Sequence, residues 1–302
     1  MTRLLLTISI FLLMASCQTS PKKTDLDLLR DKIAQIISEK KATVGIAIKH
    51  NNDTLSFNGE KHCPLQSVFK FHISLVVLSE IDKGKFSLEQ KITIKKEELL
   101  PKDLWSPLRD ENPNGGTFTI AQLIEYSIIQ SDNVACDVLI RLIGTPKTVE
   151  EYFKKNNIAD IAITFNEKDM QAKWENMFQN WTTPNATNQI LAMFYDNKNN
   201  LLSKNSYDFF WKTMKATTTG AKRLRGFLPK ETIVAHKTGT SGTNKAGLTP
   251  ATNDVGIVYL PNGQYFIISI FVTDSMESAE NNEKIIADIA KAVYDHYTTS
   301  AK

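Results

Sequence analysis

Apolar positions recur along the chain with two different periods, and the switch between them divides it into three parts. Leu26, Leu29, Ile33, Ile36 and Ile37 fall on one face of a helix. Thr43–His50 then reads as a strand, Asn51-Asn52-Asp53 as a turn, and Thr54–Phe57 as a returning strand, which predicts a hairpin. From about Ser67 to Lys215 the pattern is mostly helical. Within it Phe69–Ile81 is apolar almost all round, so it predicts a helix buried in the middle of the fold. Thr119-x-x-Gln122 and Thr148-x-x-Glu151 have the spacing of capping boxes. Gly144 and Pro146 predict a helix end between them, and Thr183-Pro184 predicts a fresh start. After Lys215 strands return at Thr232–Thr240, Asp254–Leu260 and Gln264–Thr273, the last two joined at Pro261-Asn262-Gly263. An amphipathic helix with Ile285, Ile286, Ile289, Val293 and Tyr297 closes the chain. The two strand groups share one antiparallel sheet only if the helical middle is inserted between them.

Composition narrows the class. Of 302 residues, 42% are hydrophobic and 23% charged, with a net charge of +3. That is a globular chain of one large domain, or two subdomains sharing a core. The charge is too small to predict a nucleic-acid or acidic partner. The five histidines lie far apart with no His-x-His or His-Glu-x-x-His, so no catalytic zinc site is expected, and no Gly-rich phosphate loop is present. Residues 1–17 stand apart: Arg3 precedes the apolar run Leu4–Met14, and Ala15-Ser16-Cys17 ends it. This reads as a secretory signal, too short to remain as a membrane helix. Leu13-Met14-Ala15-Ser16-Cys17 also resembles a bacterial lipoprotein box, in which Cys17 is lipidated and becomes the mature N-terminus, although Met14 is not the usual residue there. The alternative is a plain signal peptide cleaved nearby, and either predicts export. Gln18–Asp25 is a polar tether. Cys63 and Cys136 are read as buried small hydrophobes; whether they pair is open, because sequence separation says nothing of distance.

The candidate chemistry begins at Ser67-Val68-Phe69-Lys70. A serine and a lysine three positions apart share a helix face. Pro64 stops backward extension, which puts Ser67 in the first turn. There the helix dipole favours developing negative charge and a free backbone N–H can hold an oxyanion. A buried lysine beside it can serve as a base. Ser-x-x-Lys alone is weak, since the motif occurs often by chance and a capping serine with a snorkelling lysine on an ordinary core helix explains it. Ser131-Asp132-Asn133 adds a second hydroxyl and an amide in a loop between the helices Thr119–Gln130 and Val134–Ile143. Lys237-Thr238-Gly239-Thr240 adds another lysine on a strand, with Gly239 permitting a ligand to approach the backbone.

In that order the three motifs resemble the set of penicillin-interacting serine enzymes. A fourth element makes the chain similar to class A β-lactamases over about residues 25–300. Glu167 opens Phe165-Asn-Glu-Lys-Asp-Met-Gln171, which leads through Asn180-Trp181-Thr182-Thr183-Pro184 into the next helix and resembles the family's omega loop. The resemblance implies a five-stranded antiparallel sheet flanked by terminal helices and packed on an all-α subdomain. It divides the chain into a signal (1–17), a tether (18–25) and a single domain (26–302). That domain has an α/β part at 26–62 and 216–302 and an all-α part at 63–215.

Roles follow by resemblance. Ser67 attacks the lactam carbonyl, and Lys70, or Glu167 through a water, takes its proton. The N–H groups of Ser67 and Thr240 form the oxyanion hole. Ser131, supported by Lys237, protonates the leaving nitrogen. Asn133 bonds the substrate's side-chain amide, while Lys237, Thr238 and Thr240 receive its carboxylate. Trp105 walls the entrance. Glu167 activates the hydrolytic water, with Gln171 at the position beside that water. Arg223, near Arg225, reaches the carboxylate pocket; a solvent-exposed arginine is the competing reading. The implied enzyme is an exported, periplasmic monomer acting on β-lactams without cofactor or metal, and Cys17 gives it a lipid anchor. Several positions depart from the common pattern. Glu167 is followed by Lys168 rather than proline, and the loop's usual Arg–Asp ion pair is replaced by Phe165 and Asn180. These departures resemble a second subclass that includes cephalosporin-preferring and extended-spectrum enzymes. The alternatives are a DD-peptidase with the same three motifs and a β-lactam sensor domain.

Overall fold

The computed structural model describes residues 23–299; the signal, Cys17 and most of the tether lie outside the described residues. A five-stranded antiparallel sheet runs, edge to edge, Asp53–Phe57, Thr43–His50, Tyr265–Ser275, Thr249–Tyr259 and Val234–Thr240. Its two halves meet as the insertion argument requires. Thr43 pairs with Thr273 and Lys49 with Ile267, so the N-terminal hairpin docks on the last strand. Asn51 adopts the left-handed conformation of the hairpin turn (φ 51°), which asparagine tolerates better than most residues.

The strand Thr249–Tyr259 starts five residues before its expected beginning at Asp254. The reason is that its polar residues are interior and bonded. Asn253 and Asp254 are fully buried, and Asn253 Nδ2 donates to the carbonyls of Pro64 (2.8 Å) and Leu65 (3.2 Å). A buried polar group survives there because it is paired, and polarity in the sequence then imitates a loop.

Each face of the sheet has its own core. The helices Asp25–Ile37 and Ala279–Thr299 cover one face, burying Leu29, Ile33, Ile286 and Val293 against Ile46 and Ile268. Thr24 and Asp27 close a reciprocal cap at the start of the first helix. The helical middle covers the other face, built around Phe69–Asp82, in which every residue from Phe69 to Ser79 is buried. At roughly 1.5–3 kcal/mol per buried large apolar side chain, this helix is the anchor of the second core.

Three expectations need correction. A 3-10 turn, Gln66–Val68, precedes the central helix, so Ser67 lies in that tighter turn and not in the first α-turn. The middle is not wholly helical: Lys91–Lys95 pairs with Gly115–Thr119, and Cys63–Pro64, Trp181–Thr182 and Ile161–Ala162 form a small ribbon. The helix Pro146–Lys155 is capped by Thr145, with Thr148 at its third position, so Thr148 does not open it. Pro146 suits a first helical position, where the missing N–H costs nothing; Gly144 alone ends the preceding helix, at φ 118°.

Candidate active site

The turn that carries Ser67 is pinned before the helix begins. Leu65 N–H donates to the Asn180 carbonyl (2.8 Å), Asn253 grips the Pro64 and Leu65 carbonyls, and Gln66 is held at φ 44°. Gly239 presses against the same turn. A Cβ on it would lie 2.5 Å from Leu65 O and 3.2 Å from Val68 N. The sequence reading gave Gly239 to a close-lying ligand; among the described residues its close neighbour is the backbone beside the serine. The glycine therefore sets the spacing between the edge strand Val234–Thr240 and the serine's turn.

Lys70, one helical turn on, is fully buried, and its Nζ reaches three acceptors: Ser67 Oγ at 2.6 Å, Asn133 Oδ1 at 2.8 Å and Glu167 Oε1. Ser67 Oγ lies 3.4 Å from the same Glu167 oxygen. Ser131 occupies the left-handed region at φ 60°, an uncommon conformation for a non-glycine residue that aims its hydroxyl into the site. The loop around it is locked by Asp132, which caps the helix Asn133–Ile143 through Ala135 N–H and also accepts from Ser106 Oγ and Leu108 N–H. Asn133 is consequently the first helical residue and not part of the loop. Lys237 Nζ donates to Ser131 Oγ (2.9 Å). Complete burial, with the nearby Lys70 charge second, holds the Lys237 amine well below the usual lysine range.

Glu167 opens a short helix, Glu167–Ala172, capped by Asn166, and is buried at 1% exposure. Two features hold it there. Asp137 accepts from the backbone N–H groups of Glu167 (2.7 Å) and Lys168 (3.1 Å). Burial and the Glu167 charge raise the Asp137 carboxyl to about 7. The neck of the loop is closed by Asn180, whose Oδ1 accepts from Thr164 and Phe165 N–H while its Nδ2 donates to Phe165 O, all at 2.8–2.9 Å. A neutral amide clip thus stands where the common pattern has an ion pair.

Part of this cluster lines one cavity of about 330 Å3, with Lys70 and Lys237 buried outside its lining. Ser67, Ser131, Asn133 and Glu167 form its floor; Thr238, Thr240 and Arg223 line one wall, Trp105 and Gln171 another part of its lining. Arg223 is 6% exposed, which excludes the solvent-facing reading. Its guanidinium donates to the carbonyls of Gly239 (3.1 Å) and Asn253 (2.9 Å), to Thr240 Oγ1 (2.7 Å) and to Glu283 Oε1 (3.2 Å). Trp105 is 60% exposed and Gln171 is exposed at the rim. Cys63 and Cys136 are both free and buried. A larger cleft of about 720 Å3, between the strand Thr43–His50 and the helix Pro184–Asp196, is lined by none of these groups.

Several contributors were not singled out from sequence. Asp137 carries no local signal, since its meaning depends on a loop 30 residues later. Glu283 and Asn253 are equally remote from what they hold. Thr219, whose Oγ1 lies 2.7 Å from Thr238 Oγ1, sits within four residues of Arg223 and was the most findable.

The geometry agrees with what known proteins resemble. Residues 28–297 match the model of the beta-lactamase enzyme family. The chain is 53% identical over 273 residues to "Beta-lactamase VEB-1" of Pseudomonas aeruginosa, covering 90% of this chain and 91% of the relative. It is 41% identical to "Extended-spectrum beta-lactamase PER-1" of Pseudomonas aeruginosa, over 94% of this chain and 92% of that one. The crystal structure of TLA-1 extended-spectrum beta-lactamase superposes with a TM-score of 0.87 at 45% identity, covering 91% of this chain and 99% of the other. With its fold, its site and these relatives in agreement, the chain belongs to the beta-lactamase enzyme family, among the class A serine enzymes.

Proposed function

We propose that this β-lactamase opens its substrate with Ser67 and releases the product with water activated by Glu167. The observation that carries the reading is the buried cluster in which Lys70 joins Ser67, Asn133 and Glu167. Three acceptors around one amine match the three donors of an ammonium. That favours Glu167, through a water, over Lys70 as the group that takes the Ser67 proton. Glu167 Oε2 is buried without a protein partner, and a water bridging it to Ser67 would satisfy it.

The remaining roles follow from position. Val234–Thr240 is an edge strand, and Ser241 N–H turns inward to the Ala251 carbonyl, so the Thr240 N–H one residue earlier turns outward, toward the site. With Ser67 N–H it would hold the tetrahedral oxyanion, which such donors stabilise in a water-poor pocket. Ser131 would hand its proton to the lactam nitrogen and recover one from Lys237. Thr238, Thr240 and Arg223 would take the carboxylate, Asn133 the side-chain amide, and Trp105 and Gln171 would flank the side chain. The same reading places the site at the junction of the α/β part (26–62, 216–302) and the mainly helical part (63–215). Relatives named as extended-spectrum enzymes support an extended spectrum here too, with cephalosporins as the expected substrates. Export, with lipid on Cys17, rests on the sequence of residues 1–17.

The test is Glu167→Gln, which keeps the volume and removes the base. Positioned general bases contribute about 10²–10⁴-fold. Intact-mass spectrometry after mixing with a cephalosporin should show one adduct on Ser67 lasting minutes or longer, and Ser67→Ala should show none. Turnover at the wild-type rate by Glu167→Gln would refute the assignment, and Asp169 or Glu175 would become the candidate bases.

A further inference from the structure

One side of the cavity mouth is built from three consecutive residues, Asp103, Leu104 and Trp105, and its construction is unusually firm for a surface turn. Leu104 N–H closes a turn onto the Pro101 carbonyl (3.1 Å). The guanidinium of the buried Arg109 gathers the carbonyls of Leu100 (3.3 Å), Pro101 and Leu104 (2.7 Å). The indole N–H of Trp105 donates to the Gln130 carbonyl (2.8 Å), and the Trp105 carbonyl accepts from Asn133 N–H (3.3 Å).

The result is a tryptophan ring that is 60% exposed and still fixed in place. Its indole N–H is satisfied, so what the exposed ring offers the cavity is aromatic surface. Two residues away, in the same rigid turn, stands the exposed carboxylate of Asp103. The other acid lining the cavity, Glu167, is buried and paired with Lys70. The cationic residue in the cavity lining is Arg223, beside Thr240 and paired with Glu283, while the exposed Lys102 adjoins Asp103 in sequence. The cavity therefore has a cationic wall for the substrate's carboxylate and a separate rim that combines an anion with an aromatic face. That combination is the recognition chemistry of an ammonium or other organic cation.

We infer that Asp103 and Trp105 form a subsite for a positively charged nitrogen on the acyl side chain, so the enzyme favours zwitterionic β-lactams over otherwise identical anionic ones. This rests on the β-lactamase reading and adds to it the charge class of the side chain. The rigid turn matters because a preorganised subsite loses little entropy when the ligand arrives.

The test compares benzylpenicillin with its α-amino derivative, ampicillin, which differs by one amine. At pH 6 an α-amino group with a pKa of about 7.7 is protonated. The quantity read is the ratio of kcat/KM for the amino substrate over the plain one. Asp103→Asn should lower that ratio roughly two- to fivefold at low ionic strength, the range of exposed charge pairs. Asp103→Glu should keep the ratio above that of Asp103→Asn. In 1 M salt, where charges are screened beyond about 3 Å, the wild-type ratio should fall toward the Asp103→Asn value. An equal ratio in wild type and Asp103→Asn at low salt would overturn the subsite. Wild-type turnover of benzylpenicillin reports separately on the β-lactamase reading, so the two failures are distinguishable.

Discussion

Replacing Asp137 by asparagine should make the enzyme's stability less dependent on pH, and the size of the effect can be worked out. Asp137 sits beneath Glu167 with its carboxyl raised from 3.8 to about 7 by burial first and the Glu167 charge second. In the unfolded chain it ionises near its ordinary value. Between roughly pH 4 and 7 the folded state therefore binds a proton that the unfolded state has released. Stability must then fall as pH rises through that window and level off above about pH 7. About three pKa units at 1.36 kcal/mol each give an upper figure of about 4 kcal/mol, and 2–4 is a fair expectation for a partly relaxed site. Asparagine cannot ionise, but it still offers an oxygen to one of the two N–H groups. Urea unfolding of wild type and Asp137→Asn at pH 5, 6, 7 and 8 reads the Asp137–Glu167 pair, because titrating groups not coupled to Asp137 cancel in the difference. From pH 5 to pH 8 only about two pH units of that window are crossed, so the variant should gain about 1–2.7 kcal/mol relative to wild type, whatever the constant offset from the lost hydrogen bond. A difference that stays flat within about 0.5 kcal/mol would refute the argument.

Arg223→Ala should lower kcat/KM about ten- to a hundredfold, since a charge-assisted hydrogen bond contributes roughly 1.5–3 kcal/mol; an unchanged value in steady-state kinetics would remove Arg223 from substrate binding. Asn180→Ala opens the neck of the Glu167 loop and leaves Thr164 and Phe165 N–H without their acceptor. A loss of about 1–3 kcal/mol in stability is expected, together with slower deacylation, seen as a larger acyl-enzyme fraction by rapid-quench mass spectrometry. Cys17→Ala should move activity from the membrane to the soluble fraction of cells; wild-type activity already in the soluble fraction would count against lipidation and leave export standing.

What could be read from the residues was whatever depends on short range. The hairpins, the buried helix Phe69–Asp82 and the cap at Thr119 are local patterns, and the structure bears them out. Ser67, Lys70, Ser131 and Lys237 could be singled out because each lies in a compact motif, and the structure pairs Lys70 with Ser67 and Lys237 with Ser131 although the motifs are spread over about 170 residues of chain. The hidden part is tertiary. Asn253 falls outside the strand expected to begin at Asp254, because nothing nearby reveals that the Pro64 and Leu65 carbonyls will bond it in the interior. Asp137 looked like an ordinary polar residue on an amphipathic helix. Thr148 misled through a spacing that fits a capping box by coincidence, while Pro146 fixed the true start. Gly239 reads in the sequence as letting a ligand approach the backbone; that the serine's turn also crowds it is hidden, since that turn lies more than 170 residues earlier in the chain.

The pairing of Thr43–His50 with Tyr265–Ser275 also governs when the protein can come into being. The first strand of the sheet emerges early from synthesis, and its permanent neighbour is among the last segments made. Until then Ile46 and Ile48 have a partner only in the short hairpin strand, and the sheet cannot close. Contacts so distant in sequence form slowly. On the export proposed from residues 1–17 this delay would be useful: it would keep the polypeptide threadable while it crosses a membrane. Ser67, Glu167 and Lys237 would then come together only on the far side, once the last strands have paired.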